Sequence, residues 1–348
     1  MNSGLLAILL VAAGVSLLMA LWLFVSKLVG HLRRRFDQIR RASYVGLLSE
    51  IATRVGYPVD MLRSCAEDRV FLDTLMDYLD LVQGAERANL LRVARSLGIV
   101  QRLLADLTSR RRERRVVAAR SLGELGDPRT ADALLRALSD RVPEVRIQAA
   151  DALAQLKEAR AVEPLIVLLE TETEWNANRV ADALVKFGSP AVSALSRHLI
   201  MSFVGSESGR EPLVARVLGA IGDVAAEPAL VRALQEGSDE VRIRSAASLH
   251  AAGSQASLPA LVRAANDPVW EVRAQAVRAL GGLMDPAAIP TLRAALSDAE
   301  WWVRRNAALA LESIPGGVEP HDGTLHSEVV ATDASERVSE ALEAESPL

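Results

Sequence analysis

Five histidines and one cysteine are the side chains in this 348-residue chain best suited to metal or nucleophilic chemistry, and their spacing argues against both. His31, His198, His250, His321 and His326 stand singly, and none is followed by Glu. A lone helical histidine is more often a surface or packed residue than a ligand, because a metal needs several donors converging on one point. No facial triad, H-E-x-x-H, Walker loop or G-x-S-x-G turn occurs. Cys65 is the single cysteine, which rules out a disulfide framework and a multi-cysteine zinc site and fits a reducing compartment. These residues predict a non-enzyme with no metal and no cofactor.

Binding chemistry is better represented. Trp270 and Trp301 are 31 residues apart, Trp302 follows directly, and Trp175 holds the same place as Trp302 in an earlier segment. Arg273, Arg304 and Arg305 lie beside them. Tryptophan next to arginine is typical of the few residues that carry most of a protein interface's energy. The expected partner-binding set is therefore Trp270, Trp301, Trp302, Trp175 and Arg305, with Trp270 and Trp301 side by side. The competing reading has the indoles covering seams between structural units, since Trp is usually well buried.

The elements that must position these residues follow from the same spacing. The pattern A-A/V-x-A/S-L aligns on Leu122, Leu153, Leu184, Leu218, Leu249, Leu280 and Leu311, in steps of 31, 31, 34, 31, 31 and 31. A second leucine register falls at Leu134, Leu165, Leu230, Leu261 and Leu292, and a third at Leu138, Leu169, Leu234 and Leu296. A fixed period of this size marks a solenoid, in which each unit buries its apolar face only by stacking on a neighbour. Gly126-Asp127-Pro128, Gly222-Asp223 and Asp285-Pro286 end one helix. Pro164, Pro228, Pro259 and Pro290 open the next, where a missing N–H costs nothing. Ser139-Asp140, Asn266-Asp267-Pro268 and Ser297-Asp298 supply caps for a third. Each unit thus reads as two helices of about ten residues with no strand pattern. Half the chain is apolar but only 4% is aromatic, as closely packed helices rich in small residues require.

The motif D-x-x-x-E-V-R-x-x-A-x-x-A-L-x-x-L, clearest at Asp140–Leu156, Asp267–Leu283 and Asp298–Leu311, resembles the short bacterial HEAT-type repeat, the class also seen in phycobilisome-lyase-like repeats. The resemblance covers about residues 110–315 and implies an all-α superhelical stack of helical hairpins. Its signature arginine precedes the anchor leucine by seven residues, at Arg115, Arg146, Arg242, Arg273 and Arg304. We expect that ladder to be structural, bonding the loop Asp or carbonyls of the adjacent unit. The pattern fails at Ala177 and Glu211. Some helical-repeat proteins of this type are hydroxylases that hold iron with His-Glu pairs, and none of the five histidines matches that pattern. A bilin-lyase-like or other HEAT-repeat enzyme is the catalytic alternative the resemblance leaves open.

Four regions are expected. Residues 1–31 read as a transmembrane anchor, because positions 5–25 contain no charge and roughly 20 apolar residues span a bilayer. Lys27, Arg33, Arg34, Arg35, Arg40 and Arg41 follow it, which by the positive-inside rule puts the N-terminus outside and the repeats in the cytoplasm, at the inner or plasma membrane. Residues 32–110 read as juxtamembrane helices, near 43–54 and 70–82, and a degenerate capping repeat. Residues 111–314 are the solenoid. Residues 315–348 carry eight acids against one base, Arg337, and read as a solvated acidic tail, or as a short docking helix with Val338 and Leu342 on one face. With a whole-chain charge of -4 and a single basic cluster at 110–115 without interleaved aromatics, a nucleic-acid-binding repeat protein is the weaker alternative. The sequence therefore points to a membrane-anchored, non-catalytic scaffold that binds another protein, such as a membrane-bound enzyme or a signalling protein.

Overall fold

A computed structural model describes residues 2–54, 57–58, 62–203 and 209–317, with the side chains of 2–18, 30 and 32–34 outside the described set. Among the described residues every regular element is helical. The chain divides into two compact units, Met1–Thr130 and Ala131–Leu348.

The first unit holds α1 (Asn2–Thr53), α2 (Arg69–Leu81), α3 (Gly84–Ser96), α4 (Ile99–Asp106) and α5 (Arg112–Leu125). Among the described side chains of α1, those buried lie at its far end, where Leu48, Ile51 and Ala52 pack against α2 and α3. Asn89 Nδ2 donates to the Ala52 carbonyl at 2.9 Å and so satisfies one of the carbonyls that the helix end leaves free. Asp68 caps α2 by accepting from Val70 N, and its other oxygen accepts from Arg40 and from the Tyr44 hydroxyl of α1. Tyr44 also meets Phe71 edge to face at 5.3 Å.

The expected transmembrane helix is not supported. Among the described residues, no helix is long and apolar enough to cross a membrane. Leu5–Leu18, most of the expected span, are helical in backbone but lie outside the described side chains. The same helix continues to Thr53. The single-pass topology, the outward N-terminus and the inner- or plasma-membrane location inferred from it fall with the span.

The second unit alternates short and long helices: α6 (Ala131–Ala137), α7 (Pro143–Leu156), α8 (Val162–Thr171), α9 (Glu174–Phe187), α10 (Val192–Ser202), α11 (Glu211–Ile221), α12 (Glu227–Glu236), α13 (Asp239–Ala252), α14 (Leu258–Ala264), α15 (Trp270–Leu283), α16 (Ile289–Ala295) and α17 (Trp301–Ser313). The long helices α7, α9, α11, α13, α15 and α17 stack in that order as one layer, and each short helix packs on the long one that follows it. Except for α10 and α11, which have 11 residues each, the hairpins are unequal, with arms as short as 7 and as long as 14 residues, because a 3-10 turn such as Pro286–Ala288 takes up the start of most short arms.

The anchor leucines from Leu122 to Leu311 are all buried, as are Leu134, Leu165, Leu230, Leu261 and Leu292. Leu296, in the last unit, is only partly covered. Small residues flank the anchors and set how closely the long helices approach. A Cβ added at Gly281 would stand 2.6 Å from Ala310 Cβ, and one at Gly219 would stand 2.3 Å from Ser248 Oγ. The acidic tail expected at 315–348 lies outside the described residues from position 318 onward.

Candidate functional site

Helix α17 turns Val303, Ala307, Ala308 and Leu311 inward, where each is essentially inaccessible. Helical periodicity then leaves Trp302, Arg305, Asn306, Leu309 and Ser313 as an outward stripe. Arg305 lies four residues after Trp301 and three after Trp302, the spacings at which helical side chains meet. Its guanidinium stands 5.5 Å from the Trp301 ring centroid and 5.6 Å from that of Trp302, within cation–π range. The two indoles meet edge to face at 4.6 Å and 75°. Trp302 keeps 49% of its surface exposed. Trp301 is partly buried, and its indole Nε1 is buried with no acceptor among the described residues. Such an orphaned donor costs about 1–3 kcal/mol.

Helices α13 and α15 complete a groove beside this cluster. Asn306 Nδ2 donates to the Ala274 carbonyl at 3.0 Å and fixes α17 against α15. Gly281 and Gly282 keep the floor low, since a Cβ at Gly282 would come within 2.5 Å of His250 Nδ1. The groove holds about 640 Å³ and lies open to solvent, with Gln275, Arg278, Met284, Trp302, Arg305 and Leu309 among its walls. Arg278 is exposed. Neither Arg278 nor Arg305 has a carboxylate partner among the described residues, and no acidic side chain lines the groove. Gln275 contributes a buried amide oxygen with no donor among the described residues. The arrangement offers two cations without a carboxylate partner among the described residues, an exposed indole and an apolar wall, all on one open channel.

The structure gathers part of the expected set. Trp301, Trp302 and Arg305 form one cluster. Trp270 is partly buried at the start of α15 and makes no ring contact with Trp301 among the described residues. Trp175 is 77% exposed on α9, whose neighbours are α7, α8 and α11, so it stands apart from α17. Arg278, Gln275 and His250 line the groove and were not identified from the sequence. Their signal was the register: Gln275 and Arg278 stand five and two residues before the anchor Leu280, the offsets of Asn306 and Leu309 from Leu311.

The arginines seven residues before each anchor sit at the repeat junctions. Arg273 Nη1 donates to the Asp267 carbonyl of its own loop, while Nε and Nη2 grip both oxygens of Asp298 in the next loop at 2.8 and 2.9 Å. Arg242 does the same with the Gly237 carbonyl and Asp267. Arg146 bonds the Asp140 carbonyl and the buried Glu172. Arg304 donates to the Asp298 and Ala299 carbonyls, and Arg115 to the Ser109 carbonyl. The Arg273 hydrogen bond holds the Asp298 carboxyl below the usual carboxylate range against the opposing effect of burial. In the two central units Ala177 is buried in α9 and Glu211 at the start of α11. There Arg210 donates instead to the Glu172 carbonyl.

His198 Nε2 pairs with Glu170 at 2.8 Å. Among the described residues no three His, Cys, Asp or Glu side chains gather as a metal site. Within the basic cluster at 110–115, Arg112 faces Glu113, Arg114 faces Asp106, and Arg115 is held by its own loop.

Stacked helical hairpins with arginine-bridged loops define a helical-repeat solenoid. The chain belongs to the HEAT-repeat family, which it matches over residues 100–185, 143–201, 213–271 and 260–344. No curated protein is significantly similar in sequence. Among solved structures, human deoxyhypusine hydroxylase in complex with glycerol is 20% identical, covering 73% of this chain and 95% of that one with a TM-score of 0.30. The CpcE and CpcF complex of phycocyanin lyase from Nostoc is 25% identical over 44% of this chain and 99% of that one, with a TM-score of 0.39. Kap95p, whose binding to RanGDP that structure describes, is 12% identical over 87% and 47%, with a TM-score of 0.48. None of these likenesses carries an activity over to this chain.

Proposed function

We propose that this HEAT-repeat solenoid is a non-catalytic protein-interaction scaffold whose groove on α13, α15 and α17 binds a segment of a partner protein. The observation that carries the reading is Trp302, half exposed and flanked by Arg305 and Arg278, neither of which has a carboxylate partner among the described residues. An indole packed beside arginine at the edge of an open groove is the composition of an interface hot spot. The two cations, Arg278 and Arg305, select an acidic chain. The open channel suits an extended or helical segment more than an enclosed small molecule. The Arg242, Arg273 and Arg304 ladder serves the fold rather than the partner.

Affinity capture with the intact chain and with Trp302→Ala/Arg305→Ala tests this reading. A protein held by the intact chain, lost from the double variant and bound again in purified form supports it. Equal retention by both chains, at unchanged thermal stability, removes the groove as the partner site.

A further inference from the structure

The groove has a candidate occupant in the same chain. Its two arginines, Arg278 and Arg305, have no carboxylate partner among the described residues, and no acidic residue lines the walls. Beyond Gly317 the sequence runs for 31 residues with eight acids, Glu319, Asp322, Glu328, Asp333, Glu336, Glu340, Glu343 and Glu345, against the single base Arg337. The apolar residues Leu325, Val329, Val330, Val338 and Leu342 are interspersed among them. This segment therefore carries what the groove asks for: negative charge for the arginines and aliphatic side chains for Trp302 and Leu309.

Connectivity favours the match. The segment leaves the fold directly after α17, and Ser313, in the last turn of that helix, is itself a groove residue. A chain covers at most about 3.3–3.6 Å per residue, so 31 residues reach any part of a channel whose α17 wall is 12 residues long, from Trp302 to Ser313. A ligand tethered this closely acts at an effective concentration on the order of millimolar. Even a weak contact is then well occupied.

We infer that the acidic segment 319–348 occupies the Trp302–Arg305–Arg278 groove of its own chain, so that an acidic partner must displace it. The inference rests on the groove being the partner site of the scaffold reading, and it adds a competitor built into the molecule. Replacing the eight acids by their amides leaves the described fold untouched and removes the attraction.

The test titrates a fluorescently labelled synthetic peptide of residues 318–348 into three full-length chains, with anisotropy as the readout. The acid-to-amide chain should bind the peptide at least tenfold more tightly than the intact chain, and the affinity should fall as salt rises. Adding Arg278→Glu and Arg305→Glu to the acid-to-amide chain should weaken peptide binding at least tenfold at unchanged melting temperature. Equal binding to intact and acid-to-amide chains overturns the inference, as does full binding to the arginine variant. Sedimentation of the intact chain as a dimer that the amide changes dissociate would put the segment in a second copy's groove and overturn the contact within one chain. If the peptide fails to bind while Trp302-dependent partner capture persists, the self-occupancy falls and the scaffold reading stands. Peptide binding without any Trp302-dependent partner supports the self-contact and overturns the scaffold reading.

Discussion

Asp298 closes the loop before the last long helix and, with both carboxylate oxygens, grips the guanidinium of Arg273 in the preceding repeat. The same Oδ1 also accepts from Glu300 N, so one carboxylate caps a turn and bridges two units. Arg273 in turn ties back to the Asp267 carbonyl of its own loop. Asp267 is the corresponding partner of Arg242, and the bridge repeats one unit earlier. The half-buried pair thus transmits order along the stack at the edge of the core rather than within it.

Removing Arg273 should expose the worth of that bridge. Arg273→Ala leaves Asp298 and the Asp267 carbonyl without their charged donor, and the full chain should lose about 1–3 kcal/mol in urea unfolding. Arg273→Lys should recover less than half of the loss, because an ammonium cannot match the two-pronged guanidinium geometry. An unchanged midpoint for Arg273→Ala together with lost partner binding would make Arg273 a contact residue instead.

Acid should weaken the same bridge. The Arg273 hydrogen bond lowers the carboxyl pKa of Asp298 in the folded chain. The stabilisation is therefore complete above the ordinary aspartate value and is lost as pH falls through the lower folded value. The stability difference between the intact chain and Asp298→Asn should be constant above about pH 5 and shrink below about pH 4. A difference that grows on acidification contradicts the assignment.

Much of the fold was legible because the solenoid is built on one repeated decision. Leu153, Leu184 and Leu249 recur in register because each must enter the same seam, and loop aspartates such as Asp267 recur because each caps the same turn. The N-terminal region was misread: the uncharged run at 5–25 suggests a span, yet among the described residues no helix is long and apolar enough to cross a membrane. The site was half legible. Trp301, Trp302 and Arg305 are neighbours along one helix, so sequence spacing alone brings them together. Arg278 and His250 come from other helices, and only the inter-helix approach allowed by Gly281 and Gly282 puts them on the same groove. Trp270 and Trp301 share a register, yet a shared register does not bring two rings into contact.

Alkaline pH should act on the first unit through Tyr44. Burial, followed by donation to Asp68, pushes its phenol up to about 12. A raised folded value contributes stability below the ordinary tyrosine value near 10 and loses it as pH rises toward 12. The ultraviolet difference between the intact chain and Tyr44→Phe should show one phenol ionising near pH 12. Ionisation of that phenol near pH 10 would mean that the contact with Asp68 does not hold in solution.

Helix approach should be sensitive at Gly281 and insensitive at Gly46. The Cβ of Gly281→Ala would meet Ala310 Cβ at 2.6 Å and Ala310 Cα at 2.9 Å, and a backbone neighbour yields only if α15 and α17 separate. Such overpacking costs about 1–3 kcal/mol. Gly46 lies within α1 with nothing within 4 Å of the added carbon, so Gly46→Ala should stabilise by about 0.5–1 kcal/mol. Equal effects at the two positions, measured by urea unfolding, would show that the long helices are not held at this distance.

The two adjacent tryptophans should separate binding from folding. Trp302 is half exposed, so Trp302→Ala should cost about 1 kcal/mol or less in stability, mainly the edge-to-face and guanidinium contacts. As a hot spot it should cost a partner about 2 kcal/mol or more in affinity. Trp301 is more deeply set, and its Nε1 has no acceptor among the described residues. Trp301→Ala opens a cavity and should cost about 2–3 kcal/mol in stability. Trp301→Phe keeps much of the ring while deleting the orphaned donor, so it should unfold within about 1 kcal/mol of the intact chain. If Trp301→Phe is as damaging as Trp301→Ala, the indole nitrogen has a partner in solution and the ring is anchored through it. If Trp302→Ala loses stability but binds its partner normally, the exposed indole covers the seam and the groove belongs to the fold.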